Sequence, residues 1–290
     1  MEGEEALMRA AAADAWAGEI PAVFVLATNE VTTLEPPVPF HLCLARQSYL
    51  PFTTAEVVDH FKPFAPPMGG GEPWYEHDGQ PLRWHVPLGV LFDLHAGLEA
   101  EAELPWRLTV HFQGFPATTL LSTANAAAEG WVLNALKESC FLRCGSALPA
   151  MSLSIAEQKK LTHALTTNDF REYCAVAERI SAAMAKSLGA SGLPHSVPVR
   201  VFTSPVEWRQ QPAAPRLPSG GSTRLYDVLV SLLPSVFESS SSAAPRVIVQ
   251  GVSVPLETPL LWLHGACSHP DGFLYVYVSC SPPSTAPQIA

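Results

Sequence analysis

The sequence predicts an α+β protein in which two small mixed sheets, each crossed by a helix, flank a helix-rich middle, with a short helix ahead of them all. Strand-like runs are confined to the two ends of the 290-residue chain, whereas helical spacing dominates Thr123 to Lys186. The two ends also repeat one another. Gly79-Gln80-Pro81-Leu82, then Pro87-Leu88, then Pro105-Trp106 and its strand stand beside Gly251 to Leu256, then Pro259-Leu260, then Pro270 and its strand. Such self-similarity constrains the whole architecture.

Taken in order, Glu5 to Trp16 is an alanine-rich helical run ended by Gly18. Ile20 to Leu26 reads as a strand, Ala27 to Glu30 as a turn and Phe40 to Leu44 as the returning strand. Thr53 or Thr54 can cap a helix whose apolar positions Val57, Val58, Phe61 and Phe64 share a face. Strands resume at Trp74 to His77, turn at Asp78-Gly79 and continue through Leu82 to Trp84. A short helix, Leu88 to Leu94, precedes the strand Trp106 to Phe112. Strand, strand, helix, strand, strand, short helix, strand is the order of a ubiquitin-like β-grasp domain.

In the last third, Val197 to Thr203 is a strand, Leu225 to Leu233 the helix, Arg246 to Gln250 a strand that turns at Gly251, Pro259 to His264 a short helix and Phe273 to Val278 the closing strand. The segment Gln210 to Ser222 and the tail after Ser279 read as mobile loops rich in Pro, Ser and Gly. Between the lobes, Asn125 to Cys140 carries an apolar stripe of Trp131, Leu133, Leu136 and Cys140, leaving Asn134, Lys137 and Glu138 on the other side. Ile155 to Leu165 and Asp169 to Leu188 follow as helices, with Asn168 or Asp169 capping the second. The implied domains are residues 1–17, an N-terminal helix; 18–116, a first ubiquitin-like domain; 117–195, a helix-rich domain; and 196–290, a second ubiquitin-like domain.

Composition narrows the function classes. Hydrophobic residues at 48% against 15% charged describe a core-building chain, and a formal charge of −10 without a clustered basic stripe argues against nucleic acid as a partner. The acidic start Met1-Glu2-Gly3-Glu4-Glu5 lacks the features of a secretory leader, and no apolar run is long enough to span a bilayer, so a cytosolic protein is expected. Six sparse cysteines read as reduced thiols.

Catalytic and metal patterns are thin. Cys140 and Cys144 share a helix face without a matching second pair of ligands. His264, Cys267 and His269 make three close ligands without a fourth. A thiol hydrolase on Cys140 or Cys144 would need a basic partner brought in by the fold. Glu99, Glu101 and Glu103 form an acidic, solvated loop, and Gly69 to Gly71 lacks the lysine and hydroxyl of a phosphate loop. Most of the seven tryptophans belong in the core, an exposed minority being available as interaction hot spots. No metal or other cofactor is called for. Lysine is the scarcer cation, five against twelve arginines, so Lys137 among apolar residues on a helix stands out. A lysine amine can shed its proton and act as a nucleophile, which a guanidinium cannot, although a snorkelling side chain on an amphipathic helix has the same look.

Several stretches resemble the autophagy protein 5 family over most of the chain. They are Trp16 to Pro21, Arg46 to Leu50, Gly79 to Leu94, Leu104-Pro105-Trp106, Leu256 to Leu263 and Pro270 to Leu274, with Leu136-Lys137-Glu138 and Asn168-Asp169-Phe170 in the less similar middle. The resemblance implies two ubiquitin-like domains flanking a helical one. It implies that Lys137 receives the C-terminal glycine of the modifier autophagy protein 12 through an isopeptide bond, with an activating and a conjugating enzyme supplying the chemistry. It further implies that the conjugate binds the N-terminal helix of autophagy protein 16 and acts like a ubiquitin ligase, promoting transfer of autophagy protein 8 to phosphatidylethanolamine. Such a protein is a scaffold with no catalytic residues of its own, recruited to preautophagosomal membranes through its complex. The partner helix would lie where the three domains meet, with Arg46, after the second strand, and Gly89, which permits close approach, as groove candidates. The alternative is an adaptor that docks partners without conjugation.

Overall fold

The computed structural model describes residues 2–69, 71–96, 104–122, 128–189, 192–237 and 245–279. The acidic loop of Glu99, Glu101 and Glu103, Gly70 and the tail after Ser279 lie outside them. Helix α1 (Glu2–Trp16) leads into β1 (Glu19–Leu26) and β2 (Phe40–Ala45). Two short helices, α2 (Leu50–Thr53) and α3 (Ala55–Phe61), cross to β3 (Trp74–His77) and β4 (Gln80–Pro81), and α4 (Leu88–His95) precedes β5 (Trp106–His111). The sheet order is β2-β1-β5-β3-β4, with β1 and β5 parallel and the other pairs antiparallel.

The second lobe repeats this order. Strands β6 (Val197–Phe202) and β7 (Trp208–Ala213), helices α9 (Leu225–Leu232) and α10 (Pro234–Phe237), strands β8 (Arg246–Val249) and β9 (Val252–Ser253), helix α11 (Leu260–Cys267) and strand β10 (Leu274–Ser279) give β7-β6-β10-β8-β9. Strand β10 runs parallel to β6 with Leu274 opposite Val199. Both lobes are therefore β-grasp domains. Between them stand α5 (Ala128–Cys144), α6 (Leu148–Met151), α7 (Ile155–Thr167) and α8 (Phe170–Ala185).

The alternation of β1 places Ile20, Ala22, Phe24 and Leu26 inward, where they meet Trp106, Leu108 and Val110 of β5 and Val57 and Phe61 of α3 in one core. The second core gathers Val197, Val199, Leu225, Leu229, Leu260, Leu274 and Val276. A third, around Trp16, Val132, Leu136, Cys140, Leu161, Val176 and Ile180, holds α1 against the helical bundle. Trp16 is fixed there by stacking on Tyr173 at 4.5 Å.

The structure corrects several sequence expectations. Leu82 to Trp84 is not a strand: β4 ends at Pro81, the Leu82 amide still donates to the Tyr75 carbonyl at 2.8 Å, and the chain then turns so that Trp84 is buried and its Nε1 donates to the Leu121 carbonyl. Residues 208–213, the last four of which fall in the expected loop, form strand β7, paired through six residues with β6; Pro212 is tolerated because this is an edge strand. Thr54 does not cap α3, since its hydroxyl donates to the Leu50 carbonyl instead. Asp169 caps α8 by accepting from the Glu172 amide, whereas Asn168 ends α7 in the left-handed conformation. Ser154 and Glu157 form a capping box at the start of α7.

Candidate functional site

Helix α5 is organised by the face it buries. Val132, Ala135, Leu136, Ser139, Cys140 and Cys144 are buried, a stripe at three- and four-residue spacing. This differs from the expected stripe at its start, where Val132 is buried in place of Trp131 and Leu133. Trp131 and Leu133 are only half-buried, because the Trp131 ring packs on His85 and Trp84, with centroids 4.7 and 5.9 Å away, at the edge of the first lobe. Lys137 lies off the buried stripe. It is half-buried and donates from Nζ to Asn134 Oδ1 at 3.2 Å, while Lys62, Lys159, Lys160 and Lys186 are all exposed.

The next two residues tie this turn of α5 to the second lobe. Ser139 Oγ donates to the Gly272 carbonyl at 2.9 Å, and a Cβ on Gly272 would stand 2.3 Å from that same oxygen. Glu138 accepts from Gln210 Nε2 at 2.6 Å and lies 3.7 Å from the Arg200 guanidinium. Arg200 in turn donates to Tyr275 Oη at 2.6 Å and to Asp271 Oδ2 at 3.2 Å, and its guanidinium lies 3.6 Å over the Phe273 ring. Tyr275 Oη donates to the same Asp271 oxygen. Burial pushes the Asp271 carboxyl up and Arg200 opposes the shift. Lys137 is thus carried on a backbone that is clamped on both of the following residues while its own side chain is left out of the clamp.

Arg46 and Gly89 meet at the junction of the lobes, and both are engaged within the chain. Arg46 Nη2 donates to both oxygens of Asp93, at 2.6 and 2.7 Å, and to the Gly89 carbonyl at 3.2 Å. Burial raises the Asp93 carboxyl, Arg46 opposes the rise, and the Gly251 amide from the second lobe also donates to it. Three glycines make room for the arginine. A Cβ at Gly18, Gly89 or Gly251 would stand 2.8, 3.0 or 2.9 Å from Arg46. The close approach that Gly89 permits is therefore to Arg46, whose amide donates to Gly18 and whose carbonyl accepts from Gly89. Gly18 and Gly251 read in the sequence as a helix stop and a turn, and nothing local marks them or Asp93 as neighbours of residue 46.

The alternative chemistries fare differently. Burial pushes the Cys140 thiol up to about 11, leaving it protonated and a poor nucleophile at neutral pH. His264 and His269 are buried and held neutral, both pushed down to about 3 by desolvation, and His264 Nε2 meets the Gly272 carbonyl at 3.0 Å. Among the described residues no group of three or more His, Cys, Asp or Glu side chains is arranged to hold a metal ion. Trp208 is the most exposed tryptophan, at 46%, stacked on Phe202. No helix among the described residues is long and apolar enough to cross a membrane.

Three family models match the three parts of the chain: autophagy protein ATG5, UblA domain, over residues 15–112; its alpha-helical bundle region over 125–183; and its UblB domain over 196–278. Autophagy protein 5 of Oryza sativa subsp. indica is 28% identical, the match covering 92% of this chain and 93% of that protein. Autophagy protein 5 of Aspergillus fumigatus is 29% identical over 91% of this chain and 93% of its own length. The crystal structure of Kluyveromyces marxianus Atg5 superposes with a TM-score of 0.74 at 25% identity, covering 96% of this chain and 99% of that one.

Proposed function

This chain belongs to the autophagy protein 5 family and has its role in autophagy, and from that premise we propose that Lys137 is the acceptor of the ubiquitin-like modifier autophagy protein 12. The observation that supports this most is the setting of Lys137, the one half-buried lysine of the five, on a clamped helix where Asn134 alone among the described residues holds its amine. In the transfer, the neutral amine attacks the thioester carbonyl on the conjugating enzyme. The C–N bond forms, the C–S bond breaks, the enzyme's thiol leaves and the amine nitrogen gives up a proton. The activating and conjugating enzymes supply the energy and the leaving group, so this chain serves as substrate and scaffold without catalytic residues of its own.

In this reading the conjugate docks the N-terminal helix of autophagy protein 16 along the junction between the lobes and promotes lipidation of autophagy protein 8, reaching the preautophagosomal membrane through that complex. Arg46 and Gly89 act there by holding the lobes at a fixed angle, since the Arg46–Asp93 pair is buried from the first lobe and capped by Gly251 of the second.

Incubation with the modifier, its two enzymes and ATP tests the proposal. The wild-type chain gives a heavier species that resists reductant, and Lys137→Arg gives none while its thermal melt and its binding of the partner helix are unchanged. Digestion of the product places the branch on the peptide containing Lys137. A branch at Lys159 or Lys160 would refute the assignment, and no heavier species at all would favour the non-covalent adaptor.

A further inference from the structure

A cavity of about 460 Å³ lies between α1, α8 and α11, and a second of about 190 Å³ adjoins it. Arg143, in the last turn of α5, and Ser181 of α8 line both. Much of the larger wall is apolar, with Met8, Leu136, Phe170 and Ile180. Its polar lining is rich in donors: the Arg143 guanidinium, the Tyr173 phenol and the hydroxyls of Ser181 and Ser268. Among the described residues none of these four side chains has a hydrogen-bond or ion-pair partner.

Exposed arginines such as Arg107 and Arg171 also show no side-chain partner among the described residues, but the arginines at the other lobe junctions do. Arg46 and Arg200, the arginines at the other junctions, each hold a buried carboxylate. Arg9, on the rim of the same cavity, is already paired with Glu178 at 3.2 Å. Glu5, the remaining carboxylate of the lining, is exposed on α1 and forms no ion pair with Arg143. Arg143 is half-buried, and desolvation pulls its guanidinium below the usual arginine range. A guanidinium held partly out of water presents a planar fork that fits one carboxylate through two parallel bonds. The volume is that of a small-molecule site, and such sites pair apolar walls with a few placed polar groups.

We propose that this cavity binds an amphiphilic monoanion, a carboxylate on an apolar chain, with the carboxylate on Arg143 and the chain against Met8, Leu136, Phe170 and Ile180. One unpaired guanidinium neutralises one charge, which favours a carboxylate over a phosphate dianion. Tyr173 and the two serines supply neutral donors to its remaining lone pairs. The site is distinct from the Lys137 acceptor and does not depend on it.

Calorimetric titration of the full chain with decanoate below its micelle concentration tests the site, with decanol as the uncharged analogue and acetate as the carboxylate without a tail. Decanoate binds at least tenfold more tightly than either, and Arg143→Met loses at least tenfold while keeping the wild-type melting temperature within a few degrees. Arg143→Lys, which keeps the charge and loses the fork, loses several-fold, and it carries the test if Arg143→Met does not fold. Equal binding of decanoate and decanol, equal binding of acetate, or unchanged affinity in both variants would overturn the proposal. So would recruitment to phosphatidylserine vesicles that requires Arg143 in a protein that does not bind decanoate.

Discussion

Strands β5 and β10 hold the same central place in two sheets of identical order, and their surroundings differ on one face only. In both, the residues aimed at the lobe's own core are buried: Trp106, Leu108 and Val110 in the first, Leu274, Val276 and Val278 in the second. On the other face β5 carries Arg107, Thr109 and His111, exposed or half-buried, whereas β10 carries Tyr275, Tyr277 and Ser279, all buried. Tyr275 and Tyr277, with Phe202 and Ile248, join the hydrophobic cluster of the first lobe. The inward face therefore specifies a β-grasp lobe, and the outward face decides whether that lobe is free on one side or built into a larger body.

The comparison is tested most severely at Arg200. Arg200→Met strips the buried Asp271 of its cation and lowers unfolding free energy by about 3–5 kcal/mol in urea titrations, the range for breaking a buried pair. A loss under 1 kcal/mol would mean that the outward face of the second sheet is no more committed than that of the first.

Acid should come next. His264 and His269 are neutral when folded, with values near 3, against about 6.5 for an unfolded histidine. A depressed folded value means their contribution is fully present above pH 6.5 and is lost as pH falls, because the unfolded chain takes up protons that the folded one refuses. The loss is roughly 1.4 kcal/mol per pH unit for each, between about pH 6 and pH 4. His85 and His95 of the first lobe, lowered by burial to about 4, act in the same sense but begin to take up protons in the folded state about one pH unit sooner. Thermal melts from pH 7 to pH 4 check the sign, and His269→Gln should flatten the slope by about one proton.

Smaller effects separate the two faces residue by residue. Tyr275→Phe removes the hydroxyl shared by Arg200 and Asp271 and costs about 1–3 kcal/mol. Arg107→Ala, at the matching place on β5, should change stability by no more than about 0.5 kcal/mol, since its side chain faces solvent. If the two substitutions cost the same in chemical denaturation, the distinction between the faces is lost.

Much of this architecture was legible in the chain. The period of two in Ile20 to Leu26 and the Gly-Pro-Leu spacing repeated between the halves are local signals that read correctly from neighbours in sequence, and the cap was narrowed to Asn168 or Asp169, of which the structure uses Asp169. Strand β7 was not legible, because Trp208 to Ala213 has a polar, proline-bearing sequence that becomes a strand only when β6 offers it an edge. Lys137 could be singled out from its rarity and its helix, but its half-buried setting depends on how far Trp131 is drawn toward the first lobe and Ser139 toward the second.

The sequence alone thus determined which residues of β1 point inward and that the middle of the chain is helical, because dihedral preference and side-chain period act over a few residues. Only the tertiary structure decided that Arg46 is spent on Asp93 among three glycines, that Arg143 has no side-chain partner among the described residues, and that one sheet is covered on both faces. Those outcomes depend on distances between segments remote in the chain, and they are set when the lobes pack.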